Sequence, residues 1–221
     1  MTRAKKSESA PKPLSEAGGA GGTPETGGVA DRDLDGRLLR ADARRNYERL
    51  VVAARKVFSE QGVGASMEAI AREAGVGVGT LYRHFPKRID VVEAVYRTDV
   101  DELAMAAEKA VANLDAWAAV EEFLRAFVRY AQGKRVFLGE LREAFDKNPD
   151  LKLRSRERID EATDLVIGRA QQAGAVRTDV DGRDVMQLLG PMCTSPTLTP
   201  EQSERLLPMI LDGLRAPARS D

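Results

Sequence analysis

The side chains best suited to chemistry in this chain of 221 residues lie close together, between Tyr82 and Arg88. This stretch places a phenol, an imidazole and three cationic side chains within two helical turns of sequence. Such groups donate hydrogen bonds to phosphate oxygens, and arginine can also pair with the edge of a guanine. His84 is the only histidine, and the carboxylate or thiol partner of a catalytic base and the further ligands of a metal site do not occur at suitable spacing nearby. The stretch therefore predicts phosphate contacts, with a helix-surface or core imidazole as the alternative for His84.

The remaining sequence offers no second group of residues for catalysis or for a cofactor. Cys193 is the only cysteine, which excludes an intramolecular disulfide and a Cys-rich metal site and favours a small buried apolar role. The glycine-rich GVGVG at 75–79 lacks the preceding strand and the Lys-Ser/Thr pair of a phosphate-binding loop. We therefore predict that the protein is not an enzyme and holds no metal and no cofactor.

Two short predicted helices carry the donor-rich stretch. Ser66 can cap the first helix, and Gly75 follows its last apolar residue, where a left-handed conformation is needed. The second helix, from Val78 to Phe85, has Leu81 and Phe85 four residues apart on its inward side. Two helices joined by a short turn with glycine predict a helix-turn-helix, whose second helix enters the major groove of DNA.

Two longer predicted helices flank this motif. The first runs from about Arg37 to Gln61, with one apolar stripe, and Gly62 ends it. Its opposite face carries four cationic side chains, which are either a solvated face or, near the helix start, phosphate contacts: Arg44, Arg45, Arg55 and Lys56. A long helix after Pro86 is expected to complete the DNA-binding core with its first half and to enter the remaining domain with its second.

Residues Leu50 to about Val95 resemble the tetracycline-repressor-like (TetR-type) transcriptional regulators. The resemblance rests on the strings VFSEQGVGAS, IAREAGV and GTLYRHF, followed by a short basic linker and another amphipathic helix. One departure lies at Lys87, where the family usually has Ser or Thr to cap the fourth helix. A cation at this position makes a weaker cap but still suits a phosphate.

The resemblance implies roles for the residues of the motif. It places the helix from Val78 to Phe85 in the major groove, and five residues match positions that usually hold the DNA backbone: Ser66, Tyr82, His84, Lys87 and Arg88. Base discrimination would then fall to Val78, Gly79, Thr80 and Arg83, of which Thr can contact a thymine methyl and Arg can pair with guanine O6 and N7. Val78 and Gly79 offer little hydrogen bonding, so some reliance on DNA shape is expected.

Charge is divided unevenly along the chain, although the net charge is only −1. Residues 37–97 carry 12 Lys and Arg against 7 Asp and Glu, and residues 98–221 carry 17 against 22. A basic segment followed by an acidic one fits a phosphate-facing part and a second part. We predict disordered tails at 1–36 and 217–221, a helix-turn-helix domain at 37–88 and a helical effector-binding and dimerisation domain at 89–216. Because neither a secretory signal nor an apolar run of spanning length is present, we expect a cytoplasmic protein without a membrane partner.

The second half is predicted to be helical, which makes the chain all-α. We expect Gly133 to interrupt one helix and residues 191–200 to form a polar loop. By resemblance, the middle helices enclose a ligand pocket and the last long ones form a dimer. An aromatic set with one methionine could line that pocket, with plain core packing as the alternative for each: Met105, Trp117, Phe123, Phe127, Tyr130, Phe137 and Phe145. Apolar walls would favour a hydrophobic or aromatic effector, and Arg135 and Arg142 could hold an anionic group or lie at the surface.

Three alternative functions are considered for this sequence. The first is a homodimeric repressor that binds a double-stranded DNA operator and is released by a small, largely apolar effector. The second is a DNA-binding structural or scaffolding protein without an effector, which the absence of a ligand-sized cavity would favour. The third, an all-α enzyme, lacks any pairing of nucleophile with base and any metal-binding spacing.

Overall fold

Nine α-helices make up most of the part of the chain that the structure describes. The computed structural model describes the backbone of residues 28–195 and 197–216, and side chains from Ala41 onward except that of Val63. The helices are α1 Gly28–Gln61, α2 Met67–Glu73, α3 Val78–His84, α4 Arg88–Asn113, α5 Ala116–Lys134, α6 Leu138–Lys147, α7 Pro149–Gln172, α8 Gly182–Thr194 and α9 Pro200–Leu214. Short 3₁₀ turns occupy Gly62–Gly64 and Arg135–Phe137. The only β-structure in these residues is one isolated bridge between Val176 and Arg215, which confirms the all-α prediction.

The first helix starts earlier than predicted. It begins at Gly28 rather than near Arg37, so the helix includes residues 28–36, which were predicted as part of the tail. The chain divides into two units between Ala41 and Asp42, and α1 runs through the division. The rest of the predicted tail, residues 1–27, lies outside the described residues, as does the predicted tail at 217–221.

Local signals at the helix ends perform as the sequence predicts. Gly62 and Gly174 follow α1 and α7 with φ angles of 58° and 71°, a left-handed conformation that glycine adopts without steric cost. The Asp181 side chain accepts a hydrogen bond from the Asp184 N–H and so caps α8. Helix ends are therefore encoded largely by single residues.

One boundary prediction is wrong. Pro191 does not begin a loop, because α8 continues to Thr194 and carries Cys193 into the core, where it is fully buried. Here tertiary burial overrides a local breaker. The interruption predicted at Gly133 lies one residue later, where α5 ends at Lys134 and the 3₁₀ turn Arg135–Phe137 follows.

Helix α4 joins two buried apolar clusters. Its first half contributes Val91 to Val100 to a cluster with α1, α2 and α3, whereas Leu103, Ala104 and Ala107 belong to a second cluster with α5, α7, α8 and α9. The first cluster also takes in buried residues of α6 and the start of α7, so the N-terminal core extends well beyond residue 88. Helix α4 therefore belongs to both cores. None of the described helices is both long and apolar enough to cross a membrane.

Candidate nucleic-acid interface

The turn between α2 and α3 is fixed by a cap and a glycine. Ser66 Oγ accepts a hydrogen bond of 3.1 Å from the Ala69 N–H at the start of α2, as predicted. Gly75 has a φ of 63°, and the Val76 N–H donates to Ala71 O at 3.0 Å, which closes the end of α2. Helix α3 then starts after Gly77. The predicted helix-turn-helix is therefore present.

Helix α3 has one buried side and one exposed side. Leu81 is fully buried and Phe85, which ends the helix, is 3% exposed, so these two residues anchor α3 on the N-terminal core. Tyr82 and Val78 are 43% and 39% exposed, and Gly79 and Arg83 are exposed with them. Thr80 is half-buried. Of the predicted base-reading residues, Val78, Gly79 and Arg83 are thus exposed, as is Tyr82, whereas Thr80 is only partly exposed.

Arg83 is held only loosely. Its Nε donates to Gly79 O one turn earlier, at a long distance of 3.3 Å. A bond of this length to an exposed carbonyl is easily exchanged for another acceptor. The guanidinium is therefore available to a base edge.

His84 belongs to a small aromatic group at the end of α3. Its ring lies edge-on to that of Tyr47 on α1, with centroids 6.4 Å apart, and Tyr47 also packs on Phe85 at 5.2 Å. Because His84 is half-buried, the Tyr47 ring limits its orientation. Nothing in the sequence pairs Tyr47 with His84, because the two residues lie far apart along the chain.

Three further candidates lie around this surface. Ser66 is exposed, and the hydrogen of its capping hydroxyl remains available to an acceptor. Lys87 is exposed at the start of α4, where its N–H donates to Asp90 Oδ2 at 2.8 Å, which is the half of a capping box that the third helical residue supplies. Arg45, also exposed, pairs with Asp42 one turn earlier on α1.

Arg88 is engaged inside the protein. Its Nε and Nη2 each donate to the Glu140 carboxylate of α6 at 3.0 Å, and its Nη1 donates to Ala65 O. The guanidinium also lies 5.0 Å from the centre of the Phe58 ring. This bidentate pair ties α4, α6 and the turn before α2 together, so we assign Arg88 to positioning the motif rather than to a phosphate.

Arg49 also contacts the turn of the motif, although no sequence pattern marks it. Its Nη2 donates to Gly75 O at 3.3 Å and so links α1 to the turn of the motif. A substitution at Gly75 would meet the same side chain, because a Cβ there would lie 2.9 Å from Arg49 Nη2. No local pattern marks a contact between residues this far apart in the sequence.

The two glycines of the turn region predict opposite effects of alanine. Gly75→Ala is expected to lower the free energy of unfolding by about 1–2 kcal/mol, because alanine is strained at positive φ and its Cβ displaces Arg49. Gly79→Ala is expected to raise it by about 0.5–1 kcal/mol, since Gly79 lies in α3 with open space around it. Urea unfolding of both variants measures the two shifts, and equal signs would contradict the assigned conformations.

A cavity of about 390 Å³ lies where α1, α4 and α5 meet. Of the predicted pocket residues, Tyr130 and Phe137 line it. The others do not: Met105 is 48% exposed, Phe123 and Phe127 are buried in the C-terminal core, Trp117 lies under the guanidinium of Arg215, and Phe145 packs on Tyr96.

The charged lining of this cavity was not predicted. It comes from Arg55 of α1 and from Asp99 and Glu102 of α4, together with Arg129 of α5. The sequence showed Arg55 only as one of several cations on the outer face of the first helix. Arg135 does not line the cavity, because its guanidinium donates to Leu198 O and Ser195 O at 2.9 Å, and Arg142 is exposed on α6.

A helix-turn-helix that is followed along the chain by a larger helical domain is the architecture of a class of DNA-binding regulators. Two family models match the chain: bacterial regulatory proteins of the tetR family over residues 50–95, and the C-terminal domain of SbtR-like transcriptional regulators over residues 115–216. The TetR transcriptional regulator SCO0520 of Streptomyces coelicolor is 37% identical, with a TM-score of 0.69 over 78% of this chain and 99% of that one. A TetR regulatory protein of Mycobacterium vanbaalenii is 34% identical, with a TM-score of 0.63 over 80% and 99%.

A curated HTH-type transcriptional regulator of Staphylococcus aureus is 45% identical over 64 residues, which are 28% of this chain. The match spans only 35% of the length of that relative.

The chain belongs to the TetR family of transcriptional regulators. It is a transcriptional regulator with a helix-turn-helix for binding DNA, followed by a helical C-terminal domain.

Proposed function

We propose that this regulator is a homodimeric repressor, released from its operator by a small effector. The observation that carries the proposal is the exposed side of α3, where Tyr82 and Arg83 project from a helix anchored by Leu81 and Phe85. In this arrangement Val78, Gly79, Thr80 and Arg83 face the bases, while other residues hold the phosphates. The phosphate-binding residues in the proposal are Arg45, Ser66, Tyr82, His84 and Lys87.

A dimer is supported by apolar side chains left uncovered on the last two helices. Leu188 on α8 and Met209 on α9 are 61% and 68% exposed, and these helices pack against one another. Large apolar side chains that are left exposed favour burial by a partner. In the proposal the partner is a second copy, since a two-fold axis would place two α3 helices in successive major grooves of a palindromic site, about 34 Å apart.

An effector response is supported by the cavity and by α4. A volume of about 390 Å³ falls within the range of small-molecule sites, which disfavours the alternative of an effector-independent scaffolding protein. The cavity borders α4, and that helix belongs to both cores. A ligand that fits one position of α4 better than another would change operator affinity by its difference in affinity for the two states, typically about 1–3 kcal/mol.

The direct test is binding of the DNA upstream of the regulator's own gene, measured by gel shift and fluorescence anisotropy. We expect binding to a fragment that contains one roughly palindromic site and no binding to a shuffled fragment of equal length. Leu188→Glu is expected to give a monomer in sedimentation and to weaken operator binding by roughly a hundredfold, because a monomer holds only one half-site. Leu153→Glu, at another exposed leucine on α7, is the matched control and should change neither property. If no binding were observed at any salt concentration, the proposed operator would be refuted. If the Leu188→Glu variant remained a dimer, the proposed dimer interface would be refuted.

A further inference from the structure

The cavity between α1, α4 and α5 lies at the seam of the two apolar cores. Phe137 in its wall belongs to the N-terminal cluster and Leu103 to the C-terminal one, while Tyr130 packs against both. A molecule in this cavity therefore touches both halves of the protein at once. Its chemistry can be inferred from the polar groups that line the wall.

Arg55 lines that wall and has donor atoms without a hydrogen-bond acceptor. Its Nη1 donates to Glu102 Oε2 at 2.9 Å. Its Nη2 lies 2.6 Å from Asp99 Oδ1, but in poor alignment for a hydrogen bond. The Nε and Nη2 atoms are both buried and find no hydrogen-bond acceptor among the described residues. Buried donors without acceptors are costly, so an incoming anion that satisfies both atoms would bind with a net gain.

Asp99 is protonated at a higher pH than an ordinary aspartate. Burial raises its pKa to about 6, although the neighbouring Arg55 acts in the opposite direction. The groups that face it are Arg55 from α1, Glu102 on its own helix, and Tyr130 and Lys134 from α5. Burial lowers the pKa of Lys134 to about 8, so this amine is still mostly protonated at neutral pH. Protonation of Asp99 leaves Glu102 as the one carboxylate paired with Arg55, so the charge around the guanidinium becomes more favourable to an anion.

The rest of the wall suits an apolar body. Leu103, Ala106 and Ala126 lie beside the Phe137 ring and the Tyr130 ring. Arg129 also lines the cavity and is paired with Glu122 at 3.1 Å. Arg55 differs from it in having buried donor atoms without a hydrogen-bond acceptor, and these lie beside aromatic and aliphatic surface.

We propose that this cavity binds a monocarboxylate with an apolar body, whose carboxylate lies on Arg55 while Asp99 takes up a proton from the solvent. The inference rests on the effector response proposed above and names the chemical class of the effector. Arg55 then exchanges its two partners on α4 for the ligand. Because that exchange removes a tie between α1 and α4, it changes the position of the DNA-binding motif and lowers operator affinity.

The experiment is calorimetric titration of the full chain with three probes of matched shape: 4-phenylbutyrate, 4-phenylbutanol and 4-phenylbutylamine. At pH 7 the acid is expected to bind roughly tenfold or more tightly than the alcohol, and the amine more weakly still. Between pH 7 and pH 8 the dissociation constant of the acid should rise roughly tenfold. Asp99 has a pKa of about 6 and is ionised in the free protein at these pH values, so Asp99 must bind one proton for each ligand molecule that binds. Titrations in buffers with different ionisation heats count that proton.

Two variants and a control separate the roles. Asp99→Asn resembles the protonated aspartic acid, so it should bind the acid equally well at pH 7 and pH 8, without proton uptake. Arg55→Gln should weaken the acid roughly tenfold or more and leave the alcohol unchanged. Arg125→Gln removes an exposed guanidinium of α5 that is paired with Glu121 and should behave as the unmodified protein. Circular dichroism checks folding, and if Arg55→Gln fails to fold, the pH profile of Asp99→Asn decides.

Several results would overturn the inference: tighter binding of the amine, equal binding of acid and alcohol, or acid binding without pH dependence in the unmodified protein. A chain that binds its operator but none of the probes refutes the acid site and leaves DNA binding intact. A chain that binds the acid but keeps the operator supports the site and refutes the effector response.

Discussion

Replacing Phe123 by alanine is expected to lower the free energy of unfolding by about 3–5 kcal/mol. The Phe123 side chain of α5 is fully buried in the C-terminal core, and removing a buried aromatic ring loses its transfer free energy and leaves a cavity that the neighbours only partly fill. Met105→Ala is the control. This side chain is 48% exposed on α4, and its removal should change the stability by less than about 0.5 kcal/mol. Urea unfolding at fixed protein concentration measures both changes.

The comparison separates two roles that the sequence left open for Phe123. A residue of the core is expected to show the large loss, whereas a residue lining an open pocket would lose little and would weaken a ligand instead. A loss below about 1 kcal/mol for Phe123→Ala would therefore contradict the placement of this ring in a close-packed core.

Local features of this fold could be predicted because single residues determine them. The Ser66 cap depends on one hydroxyl and the N–H three residues later, and Gly75 depends on its own φ angle. The inward side of α3 follows from the four-residue spacing of Leu81 and Phe85. These signals need no knowledge of distant parts of the chain, so the helix-turn-helix and the all-α class were accessible from the sequence.

The contacts that the sequence does not predict join residues that lie far apart along the chain. Arg88 was expected to bind phosphate, but its guanidinium meets Glu140, 52 residues later, and Arg55 meets Asp99 and Glu102 in the same manner. A cationic side chain looks the same in a sequence whether it faces solvent, a nucleic acid or a carboxylate of another helix. The choice is made by tertiary packing, which also carries α8 through Pro191.

Base recognition gives the second large expected effect. Arg83→Ala should remove about 1–3 kcal/mol of discrimination at one base pair in each half-site, because its guanidinium is the group on the exposed side of α3 best able to pair with guanine. Binding to the preferred operator and to variants at each position, measured by anisotropy at one salt concentration, gives the change in relative affinities.

The matched comparisons are Tyr82→Phe and His84→Ala, which alter the same end of α3. Both should weaken binding to all sequences by similar factors, since a phosphate contact carries no information about the base. Lys87→Gln should likewise weaken all sites, and it should also reduce the slope of log affinity against log salt by about 1 for each phosphate that is no longer neutralised. The distinction depends on position as well as chemistry: Arg83 is held only by a 3.3 Å bond to Gly79 O, whereas the ring of His84 lies against Tyr47. If Arg83→Ala left the ranking of sites unchanged while one of the other variants altered it, base reading and backbone holding would be assigned to the wrong residues of this helix.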